Sequence, residues 1–257
     1  MKFIAYQFLA YCFTITLLTG CSNNKKTLIE RIPANGQYFL LKKIFNEKDV
    51  LIEEIRLNED SVPDGMYKEY FLNGKIKSKG FYRDGIKDSV WTYYSDSGSI
   101  KEERNWFGGK NFGEQKIYFD DGRIEKYSFN NLNGEPIFSA TYNAVGKIIG
   151  WEGTPIYTAF NADRLKVNQS FELYCFIGIP PGSDFKAKVE ERELGTSNIL
   201  FQKRYDLENI INLYFSKKIG IEQVCSNNGK YIWSIYVEHS YAGIVKSDTI
   251  RLNLSVE

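Results

Sequence analysis

A single histidine, His239, serves the whole chain, beside four cysteines, two methionines and six prolines. One imidazole excludes a two-histidine metal centre, and any catalytic triad would have to be built around this one residue. His239 directly follows the alternating stretch Tyr231–Glu238 and precedes Ser240 and Tyr241, so it reads as a polar residue at a strand end. No phosphate loop, dinucleotide fingerprint or cysteine cluster occurs. Basic runs long enough to track a phosphate backbone are missing and the net charge is +1, so nucleic acid is not an expected partner. Carboxylates are plentiful around Glu53 and Glu190, but no pair stands out by spacing. The expectation is a protein that is not an enzyme, with no catalytic residues, no metal and no cofactor. Long stretches of Ala, Leu, Glu and Lys are also missing, which argues against helices.

Aromatic residues, by contrast, make up 16% of the 257 residues, led by 18 Tyr and 18 Phe. These types favour half-buried pleated surfaces, and the many Gly, Asn and Asp clusters between them supply turns. The reading is an all-β chain.

The first residues have a different character. Lys2 precedes an apolar run from Phe3 to Leu18 that is short for a membrane span. The run ends in Leu18, Thr19, Gly20 and Cys21, which resembles the bacterial lipoprotein box. That resemblance implies cleavage before Cys21, lipid attachment to its thiol, and stable anchoring by the acyl chains. Residues 1–20 are then a signal peptide and residues 21–37 a polar tether. The expected address is the cell envelope, on the periplasmic face of an outer membrane.

Beyond the tether the chain keeps time. Tyr70, Tyr94, Tyr118 and Tyr142 recur at a spacing of 24, as do Gly74, Gly98, Gly122 and Gly146, and Ile76, Ile100, Ile124 and Ile148. Gly65 and Gly113 define a further column that Ser89 interrupts. Turn chemistry falls every 11–13 residues, at Asn73-Gly74, Asp84-Gly85, Ser97-Gly98, Gly108-Gly109, Asp121-Gly122 and Asn133-Gly134. A fixed period with turn residues at fixed offsets predicts stacked hairpins in an antiparallel meander over residues 38–152. The Tyr and Ile columns then become ladders of structural side chains.

The stretch from Asp64 to Tyr127 resembles the MORN-type repeats of the YwqK-like antitoxin group. The shared pattern appears as Trp91-Thr92-Tyr93-Tyr94 followed by Gly98-Ser99-Ile100-Lys101. The resemblance implies an architectural or interaction module and carries over no catalytic residue. Residues 38–60 read as a degenerate opening repeat.

After Gly153 the beat stops. Candidate strands are Ile156–Phe160, Ser170–Ile177, Phe185–Glu191, Ile199–Arg204, Ile210–Phe215, Tyr231–Glu238 and Asp248–Val256, with a loop at Ile179-Pro180-Pro181-Gly182. Seven short strands predict an immunoglobulin-like β-sandwich over residues 153–257, with Ser170–Ile177 packed on one side. Cys175 and Cys225 are a possible disulfide or two separate thiols.

The functional expectation is a non-catalytic, membrane-anchored scaffold or interaction module with a protein partner. An immunity-type inhibitor of a toxin and a glycan-binding module are the alternatives. Trp91, Tyr93 and Trp106 fall outside the ladder columns and are the candidate contacts for a partner or ligand.

Overall fold

The computed structural model describes residues 25–34, 37–160, 164–206, 211–213, 216–224, 227, 229–241 and 244–257. Eleven strands follow one another in chain order across a single antiparallel sheet. They are β1 (Lys26–Ala34), β2 (Gln37–Phe45), β3 (Leu51–Leu57), β4 (Pro63–Tyr70), β5 (Ile76–Arg83), β6 (Ile86–Tyr94), β7 (Ile100–Phe107), β8 (Lys110–Tyr118), β9 (Ile124–Asn130), β10 (Pro136–Tyr142) and β11 (Ile148–Gly153). The expected tether at 21–37 is overturned over much of its length, because β1 pairs with β2 from Lys26 opposite Phe45 to Ala34 opposite Gln37. Pro33 and the flanking lysine hide the strand in the sequence, but an edge strand tolerates both.

The 24-residue beat is two strands and two turns. The Phe71 N–H donates to the Lys75 carbonyl at 2.8 Å, and the Gly74 N–H donates to the Phe71 carbonyl at 2.9 Å. The same two bonds close Phe119–Arg123, Asn131–Glu135 and Asn143–Lys147, and also Asn46–Val50 and Asn58–Val62 nearer the N-terminus. The fourth residue of each turn is left-handed, with φ of 80° at Gly74 but 56° at Asp49 and 63° at Ser61. Glycine reaches that region freely, and Asp and Ser hold it at some cost, so the two earliest turns carry no glycine signal. Where Asn opens the turn, its Oδ1 accepts further backbone N–H groups, as Asn46 does from Lys48 and Val50. Directly across the turns, Tyr70 pairs with Ile76, Tyr118 with Ile124 and Tyr142 with Ile148, each beside a bulge. Tyr94 ends β6, Ile100 begins β7, and Gly98 closes the turn between them.

The chain forms two compact units: one holds the residues up to Lys87 with Tyr94–Gly98, the other Asp88–Tyr93 with Ser99–Glu257. In the first, the buried side chains among the described residues are few, chiefly Ile55, Leu57, Ser78 and Ser95. Cross-strand contacts hold it instead. The Tyr70 hydroxyl donates to Glu54 at 2.6 Å, Lys43 pairs with Glu30 at 2.8 Å, and the Arg56 guanidinium lies 4.6 Å from the Phe39 ring centre.

The second unit has three layers. Beyond β11, one sheet runs in the order β12 (Ile156–Phe160), β14 (Ser170–Ile177), β18 (Ser216–Val224), β17 (Ile211–Leu213). The other runs β13 (Arg164–Leu165), β20 (Ile244–Val256), β19 (Gly229–Tyr241), β15 (Asp184–Glu193), β16 (Ile199–Asp206). Between them lies a core of Phe171, Leu173, Cys175, Ile177, Val189, Trp233, Ile235 and Leu254. Strand β18 lies outside the seven expected strands, because its Lys217-Lys218 start and Gly220 weaken the strand signal. Strand β14 is buried on both faces, not on one as its alternation implies. Its Tyr174 and Phe176 turn away from the sandwich core and pack with Phe112, Tyr127, Phe129, Phe138 and Tyr142 of the meander. Phe176 meets Phe112 edge-on at 5.0 Å. Gly178 permits this approach, because a Cβ there would lie 2.5 Å from the Cβ of Phe129.

Candidate interaction face

In the second unit the meander has one face committed to this aromatic core. Lys116, Tyr127 and Ala140 pair across β8, β9 and β10, and so do Glu114, Phe129 and Phe138. Period-two alternation therefore sends Gln115, Ser128 and Ser139 to the opposite face. Arg104 on β7 pairs with Gln115, and Trp106 with Asn111, after a bulge between Arg104 and Trp106. The polar and aromatic side chains converge here, on the face turned away from the sandwich.

Arg104 grips Glu102 with two bonds, Nε to Oε1 at 2.6 Å and Nη2 to Oε2 at 3.0 Å. Gln115 Nε2 donates to the same Oε1 at 2.5 Å, and Asn111 Nδ2 donates to Gln115 Oε1 at 3.0 Å. The Tyr93 ring stands 5.6 Å from the Arg104 guanidinium carbon. The Glu102 hydrogen bonds raise the Arg104 pKa above its ordinary value, partly offset by burial. The result is a fork-shaped cation fixed by Glu102, which Gln115 and Asn111 hold in turn, and flanked by the Tyr93 ring.

The candidate contacts fare differently. Tyr93 joins this network and Trp106 lies half-buried beside it. Trp91 is overturned as a surface contact: only 1% of it is exposed, although its ring lies 6.5 Å from that of Tyr93. Alternation assigns Trp91 and Tyr93 to one face but does not say how deeply each position sits. Arg104, Glu102 and Gln115 were missed by the sequence reading; the available signal was an Arg within two residues of a Trp on a strand already singled out for its aromatics.

The ladder tyrosines carry a second regularity. Tyr118 donates to Glu103 at 2.6 Å as Tyr70 does to Glu54, and burial followed by the Glu hydrogen bond raises both phenol pKa values. Tyr142 departs from the pattern and donates to the Pro181 carbonyl at 2.9 Å, tying the fourth row to the proline loop.

One expected feature looks different in place. His239 lies inside β19, not at a strand end. It is 1% exposed, stacked on Phe138 at 6.2 Å and tilted against Phe185 at 5.4 Å. Burial first, and then Lys246, lowers its pKa to about 4. Cys175 is a buried free thiol whose pKa burial raises to about 12. Cys225 lies outside the described residues, as do Leu18, Thr19, Gly20 and Cys21.

Fold and face together define an all-β chain: a long antiparallel hairpin meander with smaller sheets packed as a sandwich. Within the meander, residues 63–84 match the MORN repeat variant, a stretch that covers all of β4 and β5 and the Gly74 turn between them. No curated protein matches the chain. Among solved structures, a variant of the superoxide reductase (neelaredoxin) from Ignicoccus hospitalis is 15% identical with a TM-score of 0.30, covering 39% of this chain and 79% of that chain. The superoxide reductase from Ignicoccus hospitalis is 12% identical with a TM-score of 0.27, covering 40% and 82%. Among the described residues, no group of three or more His, Cys, Asp and Glu side chains is placed to hold a metal ion.

Proposed function

We propose that this chain is a lipid-anchored envelope protein whose meander presents a docking face to a protein partner. The carrying observation is the Arg104–Glu102–Gln115–Asn111 network beside Tyr93 and Trp106. Arg, Trp and Tyr are the residue types that dominate binding energy at protein interfaces, and a guanidinium fixed by its neighbours loses little entropy on docking. The sequence Leu18-Thr19-Gly20-Cys21 supports lipidation at Cys21. The strand at Lys26 begins five residues after that cysteine, so the sheet is held close to the membrane surface. The resemblance to the YwqK-like antitoxin group supports a narrower version in which the partner is a toxin neutralised outside the cytoplasm.

The test is crosslinking in cells, comparing the native chain with Arg104→Ala and Trp106→Ala after affinity purification. A stoichiometric partner that is retained by the native chain and lost from both variants is the expected result, and its identity separates scaffold from inhibitor. A partner held equally by all three places the interface elsewhere. Cys21→Ala should move the protein out of the membrane fraction; an unchanged fraction would defeat the lipid anchor.

A further inference from the structure

The five-stranded sheet has an inner face in the sandwich core and an outer face that the core does not use. Along β15, Phe185, Ala187 and Val189 point inward, so Lys186, Lys188 and Glu190 point outward. A groove of about 700 Å³ opens on this outer side. Its lining brings together Lys186, Lys188, Arg204, Tyr236, Ser247 and Thr249, from four adjacent strands.

The register makes the arrangement specific. Lys188 lies directly opposite Arg204 on one side and Tyr236 on the other, and Tyr236 lies opposite Thr249. Like charges directly opposite one another disfavour the sheet unless something compensates them. Lys188 has compensation: its ammonium reaches Glu190 at 2.8 Å and lies 4.3 Å from the Tyr236 ring centre. Glu190, its side chain only 3% exposed, is in turn shared with Arg192 at 3.2 Å. That buried carboxylate fixes Lys188 and is fully engaged in doing so. Among the residues whose side chains are described, none brings a carboxylate within ion-pair distance of Lys186 or Arg204.

Glu238 also lines the groove, opposite Lys186 on one side and Ser247 on the other. An acidic peptide offers side chains that only accept hydrogen bonds, so beside Glu238 it would meet repulsion with no side-chain donor to offset it. A sugar chain bearing one carboxylate per ring has hydroxyls to donate to Glu238, Ser247 and Thr249 and an aliphatic ring edge to lay on Tyr236. We propose that this groove binds an acidic polysaccharide, with Arg204 and Lys186 taking the sugar carboxylates. The site is separate from the meander face, and its failure would leave that reading untouched.

Titration calorimetry on the full chain decides it, with an oligogalacturonate, a dextran of matching length and poly-glutamate as probes. The oligogalacturonate should bind, more weakly as salt rises, and Arg204→Ala should lower its affinity about tenfold. The double variant Arg204→Ala/Lys186→Ala should lower it further, with the circular dichroism spectrum unchanged because both positions are exposed. Absence of oligogalacturonate binding, equal binding of dextran, tighter binding of poly-glutamate, or an unaffected double variant would each overturn the proposal.

Discussion

The two compact units use the same hairpin turns and reach stability by different routes. In the unit that holds the residues up to Lys87 with Tyr94–Gly98, Ile55 and Leu57 are the only buried large hydrophobic side chains among the described residues, and Met66 and Phe81, directly paired, stay 48% and 45% exposed. Order there comes from turns, Tyr–Glu hydrogen bonds and cation–ring contacts, each contributing about 0.2–1 kcal/mol. In the unit that ends at Glu257, the same kind of strand buries Phe129 and Tyr127 completely. A repeat therefore sets where strands begin and end, and the neighbour laid against it sets how much each contributes.

That contrast can be broken most sharply at Phe129. Phe129→Ala removes a ring with no exposure from the aromatic core and should cost about 3–5 kcal/mol in denaturant unfolding. Met66→Ala, at an exposed site of the first unit, should cost under about 1 kcal/mol by the same measurement. Comparable losses at the two sites would mean that the first unit also rests on a packed core.

Acid should act on the second unit next. His239, held neutral between Phe138 and Phe185 and opposite Lys246, has a pKa lowered from 6.5 to about 4. Between those values the unfolded chain binds the extra proton and the native chain does not, so stability falls as pH drops. The contribution is complete above about pH 6.5 and lost by about pH 4, on the order of 3 kcal/mol. His239→Phe should flatten that part of the stability–pH curve; an unchanged slope would show that other groups carry it.

Smaller effects belong to the first unit. Gly74→Ala meets no atom within 4 Å, so only the backbone strain at φ 80° remains, about 1–2 kcal/mol. Gly74→Asn should recover part of it, as Asp49 and Ser61 already tolerate that conformation. Tyr70→Phe removes the bond to Glu54 and should cost about 0.5–1.5 kcal/mol, read from the same unfolding curves.

The meander was legible in the sequence because left-handed turn positions restrict residue type, and Gly74, Gly98, Gly122 and Gly146 stand where that restriction applies. The turns at Asp49 and Ser61 and the strand at Lys26 were less legible, since each uses a residue that is merely tolerated there. Of the candidate face, Tyr93 and Trp106 could be picked out as aromatics outside the ladder. Their partner Arg104 was signalled only by its place two residues before Trp106, and the bulge between the two, which brings Asn111 opposite Trp106, left no mark in the sequence.

By itself, the sequence determined the all-β class, the 24-residue beat and the glycine turn positions, all of which follow from local backbone geometry. Tertiary structure alone decided that Trp91 is buried, that β14 is covered on both faces and that His239 is sealed between two phenylalanines. Alternation along a strand assigns side chains to two faces, but which face is covered depends on residues far away in the chain.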